Sequence, residues 1–180
     1  GVAGARFSAS NPNLHAYPKR NKMVGKLVRP LILPDEGMEL GEGDAMQQEP
    51  RFFAHYSEDT GLLDGFINDP NFSMHRRAND LMFGGDEEMY DTAKRMSMGV
   101  LSMMFPKTLS GHLNCSVEKA TSLRNQFLYD AFPAIGQFQK DVMSVYERRG
   151  YVKSILGRRA RFESHKFSYQ GVSRVIQNSG

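Results

Sequence analysis

The sequence predicts an α+β fold in which short antiparallel strands flank a mostly helical middle. Two extended apolar segments separated by a turn lie at 27–33 and 38–44. Segments with helical apolar spacing and capping residues then fill 47–149, and a hairpin pattern follows at 151–163. With 180 residues, the chain can form one domain with a modest core or a piece of a larger one.

The amino-terminal part combines loops with the two predicted strands. Residues 1–26 predict irregular structure, because Ser-Ala-Ser-Asn-Pro-Asn and Pro-Lys-Arg-Asn-Lys are typical of turns and loops. Pro30 interrupts the first strand, and since proline cannot donate to a β-ladder we expect an edge or bulged strand. Residues 34–37 predict a turn, and the second strand is expected to end at Asp44.

The middle of the chain predicts seven helices from apolar spacing, capping residues and Gly or Pro stops. Their expected bounds are 47–56, 60–67, 73–83, 87–104, 107–113, 117–130 and 133–149. Asp86 is expected to cap the fourth helix, and Asn114 or Ser116 the sixth. Gly150 is expected to end the seventh, and a last helix to begin near Tyr169.

Basic residues are concentrated around the predicted hairpin, which is expected to turn at Gly157. Between Glu147 and Lys166 there are seven Lys or Arg against two acids: Arg148, Arg149, Lys153, Arg158, Arg159, Arg161 and Lys166. Acidic residues cluster instead at 35–44 and 86–91. A basic stripe beside an acidic pocket suits a protein that grips phosphates and binds a metal, but a solvated surface has the same pattern. The net charge of +3 is weak support for nucleic-acid binding.

The sequence argues against a disulfide-stabilised protein and against a membrane-spanning one. The single cysteine, Cys115, cannot form an internal disulfide, so a reducing compartment is expected. No apolar run approaches the roughly 18 residues that a transmembrane helix needs. The amino terminus, Gly-Val-Ala-Gly-Ala-Arg, has no apolar signal-peptide core.

The most informative motif begins at the end of the second predicted strand, where Asp44, Gln47, Glu49 and Arg51 lie two or three residues apart. A carboxylate held at a strand end is suited to Mg²⁺, because hard cations prefer charged oxygen ligands. The alternative is that Asp44 only caps the next helix and Glu49 is a solvated charge. The pattern Asp-x-x-Gln-x-Glu-x-Arg, followed by Ala-His-x-Ser, resembles the first polymerase motif of family A DNA polymerases.

The resemblance extends along the chain in both directions. Residues 6–15 resemble the family's Arg-Leu-Ser-Ser-x-x-Pro-Asn-Leu-Gln segment on the minor-groove side of the primer–template, which implies DNA contacts by Arg6, Asn13 and His15. The segment Gly-Tyr-Val…Leu-Gly-Arg-Arg resembles the family's basic hairpin, and Val-Ile-Gln-Asn-Ser-Gly its helix with a minor-groove glutamine. The implied DNA-binding residues there are Arg158, Arg159 and Gln177.

Two helices resemble the family's fingers. His75, followed by Phe-Gly at 83–84, matches the histidine that contacts the phosphates of the incoming nucleotide. Lys94 matches the lysine of the Arg-x-x-x-Lys-x-x-x-(Phe/Tyr)-Gly-x-x-Tyr-Gly helix, whose stripe faces that nucleotide. Helical spacing places residues 90, 94, 98 and 101 or 102 on one such stripe.

This helix departs from the family pattern. Tyr90, Met98 and Ser102 stand where the family has an arginine, an aromatic ring and a second tyrosine, and Met103 replaces the following glycine. Met98 can still provide an apolar surface under a sugar. Tyr90 carries no positive charge for a phosphate, and three nearby arginines are candidates to replace the family's arginine: Arg76, Arg77 and Arg95.

The resemblance implies nucleotidyl transfer from a dNTP to a primer 3′-OH with two Mg²⁺ ions. Asp44 and the carbonyl of Ala45 are the implied metal ligands, and Lys94 and His75 the catalytic cations at the triphosphate. The implied substrate-binding residues are Gln47, Glu49, Arg51, Met98 and Ser102. Glu49 is expected to exclude a ribose 2′-OH, with looser discrimination because Ser102 replaces its tyrosine partner.

The resemblance also implies an organisation: a partial palm at 1–46, helical fingers at 47–150, and a basic hairpin with the start of a palm helix at 151–180. The thumb, any exonuclease and the His-Asp-Glu carboxylate motif are expected outside this chain, so alone it is expected to be inactive. Its expected partners are primer–template DNA, dNTP and the remainder of the polymerase, in the cytoplasm of a bacterium or a phage-infected cell, or in an organelle. The alternative is a non-catalytic nucleic-acid-binding module derived from a polymerase.

Overall fold

The computed structural model describes residues 9–11, 13, 22–41, 43–162 and 167–179. The chain forms two compact units, Gly1–Met46 and Gln47–Gly180. Arg6 and His15 lie outside the described residues, so their predicted DNA contacts stay predictions. The strands predicted in the first unit are not observed among its described residues, whereas the helices predicted in the second unit are.

The first unit contains helical turns where the first strand is predicted. Helix α1 covers Lys22–Val28, and a 3₁₀ turn follows at Arg29–Leu31 with Pro30 in its first turn. The predicted strand at 27–33 is therefore wrong. The described residues of 38–44 form neither helix nor strand, so the second predicted strand is wrong as well. An unpaired strand leaves its N–H and C=O groups without partners, whereas a helix pairs them within the segment.

The second unit contains every predicted helix of the middle region. The helices are α2 (Gln48–Ser57), α3 (Thr60–Asn68), α4 (Met74–Phe83), α5 (Tyr90–Leu101), α6 (Pro106–Leu113), α7 (Val117–Gln126) and α8 (Pro133–Arg149). A 3₁₀ turn at Glu87–Met89 precedes α5, and a π-helical turn at Phe127–Ala131 extends α7. These two turns account for the difference at the start of α5 and at the end of α7, while α5 also ends three residues before its predicted bound, at Leu101.

Side-chain caps and glycines set the ends of these helices. Ser116 is the cap of α7, since its hydroxyl accepts from the Lys119 N–H at 3.2 Å, while Asn114 ends α6 with a φ of 53°. Asp86 caps the 3₁₀ turn before α5, and so contributes to that helix only through the turn. Gly150 ends α8 with a φ of 70°, a conformation that glycine adopts without a Cβ penalty.

Helix α5 lies between α4 and α6 in the core of this unit. A Cβ at Gly99 would be 2.7 Å from Leu109 Cδ1, so the absent side chain allows α5 to approach α6 closely. Gly136 has the same role in α8, because a Cβ there would be 2.5 Å from the carbonyl oxygen of Leu128. The buried Gln139 links α8 to α5 by donating to the Val100 carbonyl at 3.1 Å.

The carboxyl-terminal part forms the predicted hairpin and last helix. Strands β1 (Val152–Lys153) and β2 (Arg159–Ala160) pair antiparallel, with Gly157 at a φ of 84° in the turn. Helix α9 covers Gln170–Gln177 and packs against α8 and β1. In the described part of the chain, every helix is too short or too polar to cross a membrane.

Candidate functional site

One side of α5 carries four of the residues that the family pattern singles out, and we call Tyr90, Lys94, Met98 and Ser102 the α5 stripe. Lys94 and Ser102 are exposed, and Met98 is 56% exposed. Leu101 is only 5% exposed, so Ser102 and not Leu101 continues the stripe. The opposite side of α5 packs in the core, which fixes the direction in which the stripe faces.

His75 and Lys94 are brought together by the packing of α4 against α5. Burial lowers the pKa of the half-buried His75 imidazole below its ordinary value of 6.5, and the Lys94 charge lowers this pKa further. The His75 Nδ1 atom is buried and has no hydrogen-bond partner among the described residues. A polyanion bound here would offset the repulsion between the two groups and raise the pKa of His75.

The three candidate replacements for the arginine at position 90 have different surroundings. Arg76 lies over the Tyr90 ring at 4.9 Å and pairs with Glu87 at 2.7 Å, with both side chains exposed. Arg95 donates to the carbonyls of Asp91 and His112, which directs it toward the end of α6. Arg76 therefore lies beside the α5 stripe, whereas Arg95 is directed away from it.

Gln47 connects the start of α2 to the start of α4. Its amide donates to the Phe72 carbonyl at 2.6 Å and accepts from the Met74 N–H at 3.0 Å. The backbone of Gln47 is left-handed, with a φ of 53°. This clamp fixes the first turn of α4, which carries His75, and no signal in the sequence indicates it.

Arg51 lies on the exposed side of α2 and contacts α3. Its guanidinium is 4.6 Å from the centre of the Phe66 ring, and Nη1 is 3.5 Å from the Phe66 carbonyl oxygen. A role for Arg51 or Gln47 in substrate binding stays a prediction.

Glu49, Ser102 and Gln177 come from three distant parts of the sequence and line one small cleft. Glu49 and Gln177 are half-buried there. A neighbouring cavity of about 210 Å³ is shared by Ser102, Gln177 and further residues of the α9 region, namely Tyr169, Gln170, Ser173 and Arg174. Arg174 donates to the side-chain oxygen of Gln177 at 3.4 Å.

Sequence reasoning missed the α9 residues beside Gln177. Positions 170, 173, 174 and 177 share one helix face at i, i+3, i+4 and i+7, and this spacing was the available signal. The opposite face of α9, with Val172, Val175 and Ile176, is buried.

The basic hairpin presents a second cationic surface, the hairpin face, made of Tyr151, Lys153, Arg159 and Arg161. Arg159 and Arg161 lie over the Tyr151 ring at 4.9 and 5.5 Å. Lys153 is directly opposite Arg159 in the strand pair, while the partners Val152 and Ala160 point to the other face. Like charges placed opposite each other destabilise a strand pair, so this face favours an anionic partner.

The predicted metal ligands Asp44 and Ala45 are exposed and belong to the first unit. Asp44 is not the helix cap, since Gln47 occupies the N-cap position of α2. A carboxylate and a backbone carbonyl are suitable donors for Mg²⁺ but form only part of a coordination shell. Among the described residues, no group of three His, Cys, Asp or Glu side chains could hold a metal ion. Asn13 is exposed in the same unit, and its DNA contact stays a prediction.

The chain matches the family model for DNA polymerase family A over residues 1–178. It is similar to DNA polymerase DpoZ of Salmonella phage PMBT28, with 30% identity over 99% of this chain and 32% of that protein. It is also similar to the thermostable DNA polymerase I of Thermus thermophilus, with 32% identity over 88% of this chain and 19% of that protein.

A solved structure supports the same assignment. The POL domain of Pol1 from M. smegmatis, in complex with DNA primer-template and dNTP, matches with a TM-score of 0.79 and 27% identity. This match covers 99% of the chain and 33% of that structure. The chain spans about a third of the length of the phage relatives that it matches, 32% in each case. The chain belongs to DNA polymerase family A.

Proposed function

We propose that this chain forms the nucleotide-binding fingers and part of the palm of a template-directed DNA polymerase. The observation that carries the proposal is the α5 stripe, in which exposed Lys94 lies beside half-buried His75 and the exposed apolar surface of Met98. This arrangement suits a ligand with a compact polyanionic end and an apolar end, as a dNTP has. Residues 1–46 would belong to the palm, 47–150 to the fingers and 151–180 to the hairpin and a palm helix.

In the proposed reaction, the primer 3′-oxygen attacks the α-phosphorus of the dNTP and pyrophosphate leaves. Lys94 stabilises the negative charge that develops on the leaving group, because a preorganised cation acts where the charge forms. His75 accepts a proton as the triphosphate binds and then donates a hydrogen bond to a phosphate oxygen. Asp44 and the carbonyl of Ala45 would help to hold two Mg²⁺ ions, which would supply charge neutralisation for the phosphoryl transfer.

The cleft of Glu49, Ser102 and Gln177 is the proposed place where sugar and base-pair geometry are sensed. Glu49 would exclude a ribose 2′-OH, and Gln177 would hydrogen-bond minor-groove acceptors, which A·T and G·C pairs share. Ser102 is too small to supply the ring that a tyrosine would place in this cleft. We therefore infer weaker discrimination against ribonucleotides than a tyrosine at position 102 would give.

Each unit carries residues for which we propose contacts with DNA. We assign backbone contacts to Arg158 and Arg159, and primer–template contacts to Arg6, Asn13 and His15. The partners would be primer–template DNA, dNTP and the remainder of the polymerase, in the same or another chain, which would supply the second catalytic carboxylate.

The alternative function is a non-catalytic DNA-binding module, and one observation favours it. The cations of the hairpin face would bind phosphates without any need for a metal or for the α5 stripe, and Arg76 at the stripe is already paired with Glu87. Primer extension by the polymerase assembly that contains this chain separates the two functions. The Asp44→Asn variant should abolish extension while an Asp35→Asn control retains it. Extension that is equal in both variants would contradict the enzymatic proposal.

A further inference from the structure

The turn of the hairpin carries two exposed aliphatic side chains between basic strands. Ile155 is 55% exposed and Leu156 is 73% exposed. Residues 151–162 contain Lys153, Arg158, Arg159 and Arg161 and no carboxylate. Exposed aliphatic residues in a purely cationic segment suit a polyanion that has an apolar interior better than an acidic or a neutral protein surface.

The turn is held rigidly in the second unit. The Ile155 N–H donates to the Tyr56 hydroxyl at 2.7 Å, and this hydroxyl is also 2.7 Å from Ser179 Oγ. Within the turn, the Ser154 N–H donates to the Arg158 carbonyl and the Gly157 N–H to the Ser154 carbonyl, each at 2.9 Å. Val152 at the base is 3% exposed. The two aliphatic side chains are therefore presented on a preorganised turn, which reduces the entropy cost of binding.

Duplex DNA offers the chemistry that matches this surface. Its phosphates suit the four cations of the hairpin, and its stacked bases form an apolar interior. Proteins that kink or unstack DNA insert Leu, Ile, Phe or Met between base steps beside such cations. Aromatic side chains would be expected for stacking on single-stranded bases, and the turn has none.

Resting on the proposed function, we propose that Ile155 and Leu156 form a wedge that inserts between adjacent base pairs of the duplex held by the hairpin face. The wedge separates one base step, while Arg159 and Arg161 hold the flanking phosphates. The bound duplex is therefore locally unstacked next to the hairpin.

The experiment uses the 180-residue chain and a set of short duplexes, each with 2-aminopurine at a different step, because this base becomes fluorescent when it is unstacked. The test variant is Ile155→Ser/Leu156→Ser. The matched control is Ile67→Ser/Val117→Ser, which removes two exposed aliphatic residues, 76% and 41% exposed, from other parts of the same unit. Thermal unfolding of each variant checks that the fold is retained.

The wild-type chain and the control should raise the fluorescence at one step, and the wedge variant should not. Its affinity should fall by roughly three- to tenfold, because the missing apolar burial is partly offset by the unstacking that no longer occurs. Its salt dependence should be unchanged, since the cations remain. A fluorescence rise that persists in the wedge variant would overturn the wedge. So would DNA binding without unstacking by the wild type, or no DNA binding at all. If Lys94→Ala still lowers the triphosphate affinity in those cases, the proposed function stands although the wedge does not.

Discussion

The α5 stripe and the hairpin face are both cationic, but they are built in different ways. At the stripe, one exposed ammonium lies beside a half-buried imidazole whose pKa is lowered, and the Arg76 guanidinium over the Tyr90 ring is paired with Glu87. At the hairpin face, three exposed cations lie on one side of a strand pair without a carboxylate in the segment.

The difference indicates what each surface can bind. A compact site with few charges, one of them on an imidazole with a lowered pKa, favours a ligand of high charge density in a fixed position, such as a triphosphate. A spread of exposed cations responds to a repeating anion, where each contact is weak and strongly salt-dependent. Mutations in one surface should therefore leave ligand binding at the other surface unchanged.

A large change in stability is expected where α5 meets α6. Gly99→Ala would place a Cβ 2.7 Å from Leu109 Cδ1, and such overpacking costs about 1–3 kcal/mol of unfolding free energy. The displaced α5 should also weaken triphosphate binding but leave DNA binding by the hairpin intact. Gly111→Ala in α6 is the control: no atom lies within 4 Å of its Cβ position, so higher helix propensity should stabilise the chain by about 0.5–1 kcal/mol. Urea unfolding measures both changes. A change in unfolding free energy of the same sign in both variants would refute the packing argument.

A smaller change is expected at the support of the hairpin. Tyr56→Phe keeps the ring that stacks on Phe138 at 5.6 Å but removes the hydroxyl shared by Ile155 and Ser179. The free energy of unfolding should fall by about 0.5–1.5 kcal/mol. Amide hydrogen exchange should increase at Ile155 and not in α5. Tyr129→Phe, at a tyrosine that is 54% exposed, is the control and should have no effect.

The hairpin cations should contribute to the salt dependence of DNA binding. The Arg159→Ala/Arg161→Ala variant should reduce the slope of log K against log salt by about 0.9 for each phosphate that is no longer neutralised. Its triphosphate affinity should not change. Lys107→Ala/Lys119→Ala removes two exposed cations elsewhere in the unit and should leave the slope as it is. A slope that is unchanged in the arginine variant would show that the hairpin face does not hold DNA.

The smallest effects concern the proton on His75. Because the folded pKa lies below the ordinary value of 6.5, the unfolded chain binds more protons below that pH. Stability should fall as the pH drops through 6.5 and stop falling once the pH is below the lowered folded pKa. His75→Gln should remove this contribution in urea unfolding at different pH values.

The same proton should affect ligand binding in the opposite direction. A triphosphate bound beside His75 would raise the pKa of this residue, so its binding should take up a proton and its affinity should rise as the pH falls. Calorimetry in two buffers of different ionisation enthalpy measures this uptake. Uptake that is equal in the wild type and in His75→Gln would place the proton elsewhere.

The helices of the second unit could be predicted because their signals are local. Ser73 and Ser116 cap their own helices, Pro106 and Pro133 lie in the first turns, and Gly150 ends α8. The spacing of the α5 stripe follows from the helix period alone. The choice between positions 101 and 102 does not, because it depends on which of them the rest of the unit buries.

The parts that could not be predicted depend on contacts between distant residues. The strands at 27–33 and 38–44 needed a pairing partner, and an extended apolar segment alone does not specify one. The clamp made by Gln47 joins residues 25 and 27 positions apart. The cleft of Glu49, Ser102 and Gln177 was suggested residue by residue by the family resemblance, but its neighbour Arg174 was not.

The most direct test of the account is the affinity of Mg²⁺–dNTP for this chain with and without the Lys94 ammonium. Lys94→Ala removes a charge-assisted contact of about 1.5–3 kcal/mol, so the affinity should fall by roughly ten- to a hundredfold. DNA binding by the hairpin face should be unchanged in the same variant, and Lys107→Ala should alter neither. Equal triphosphate affinity of the wild type and Lys94→Ala would contradict the assignment of the α5 stripe as a nucleotide site.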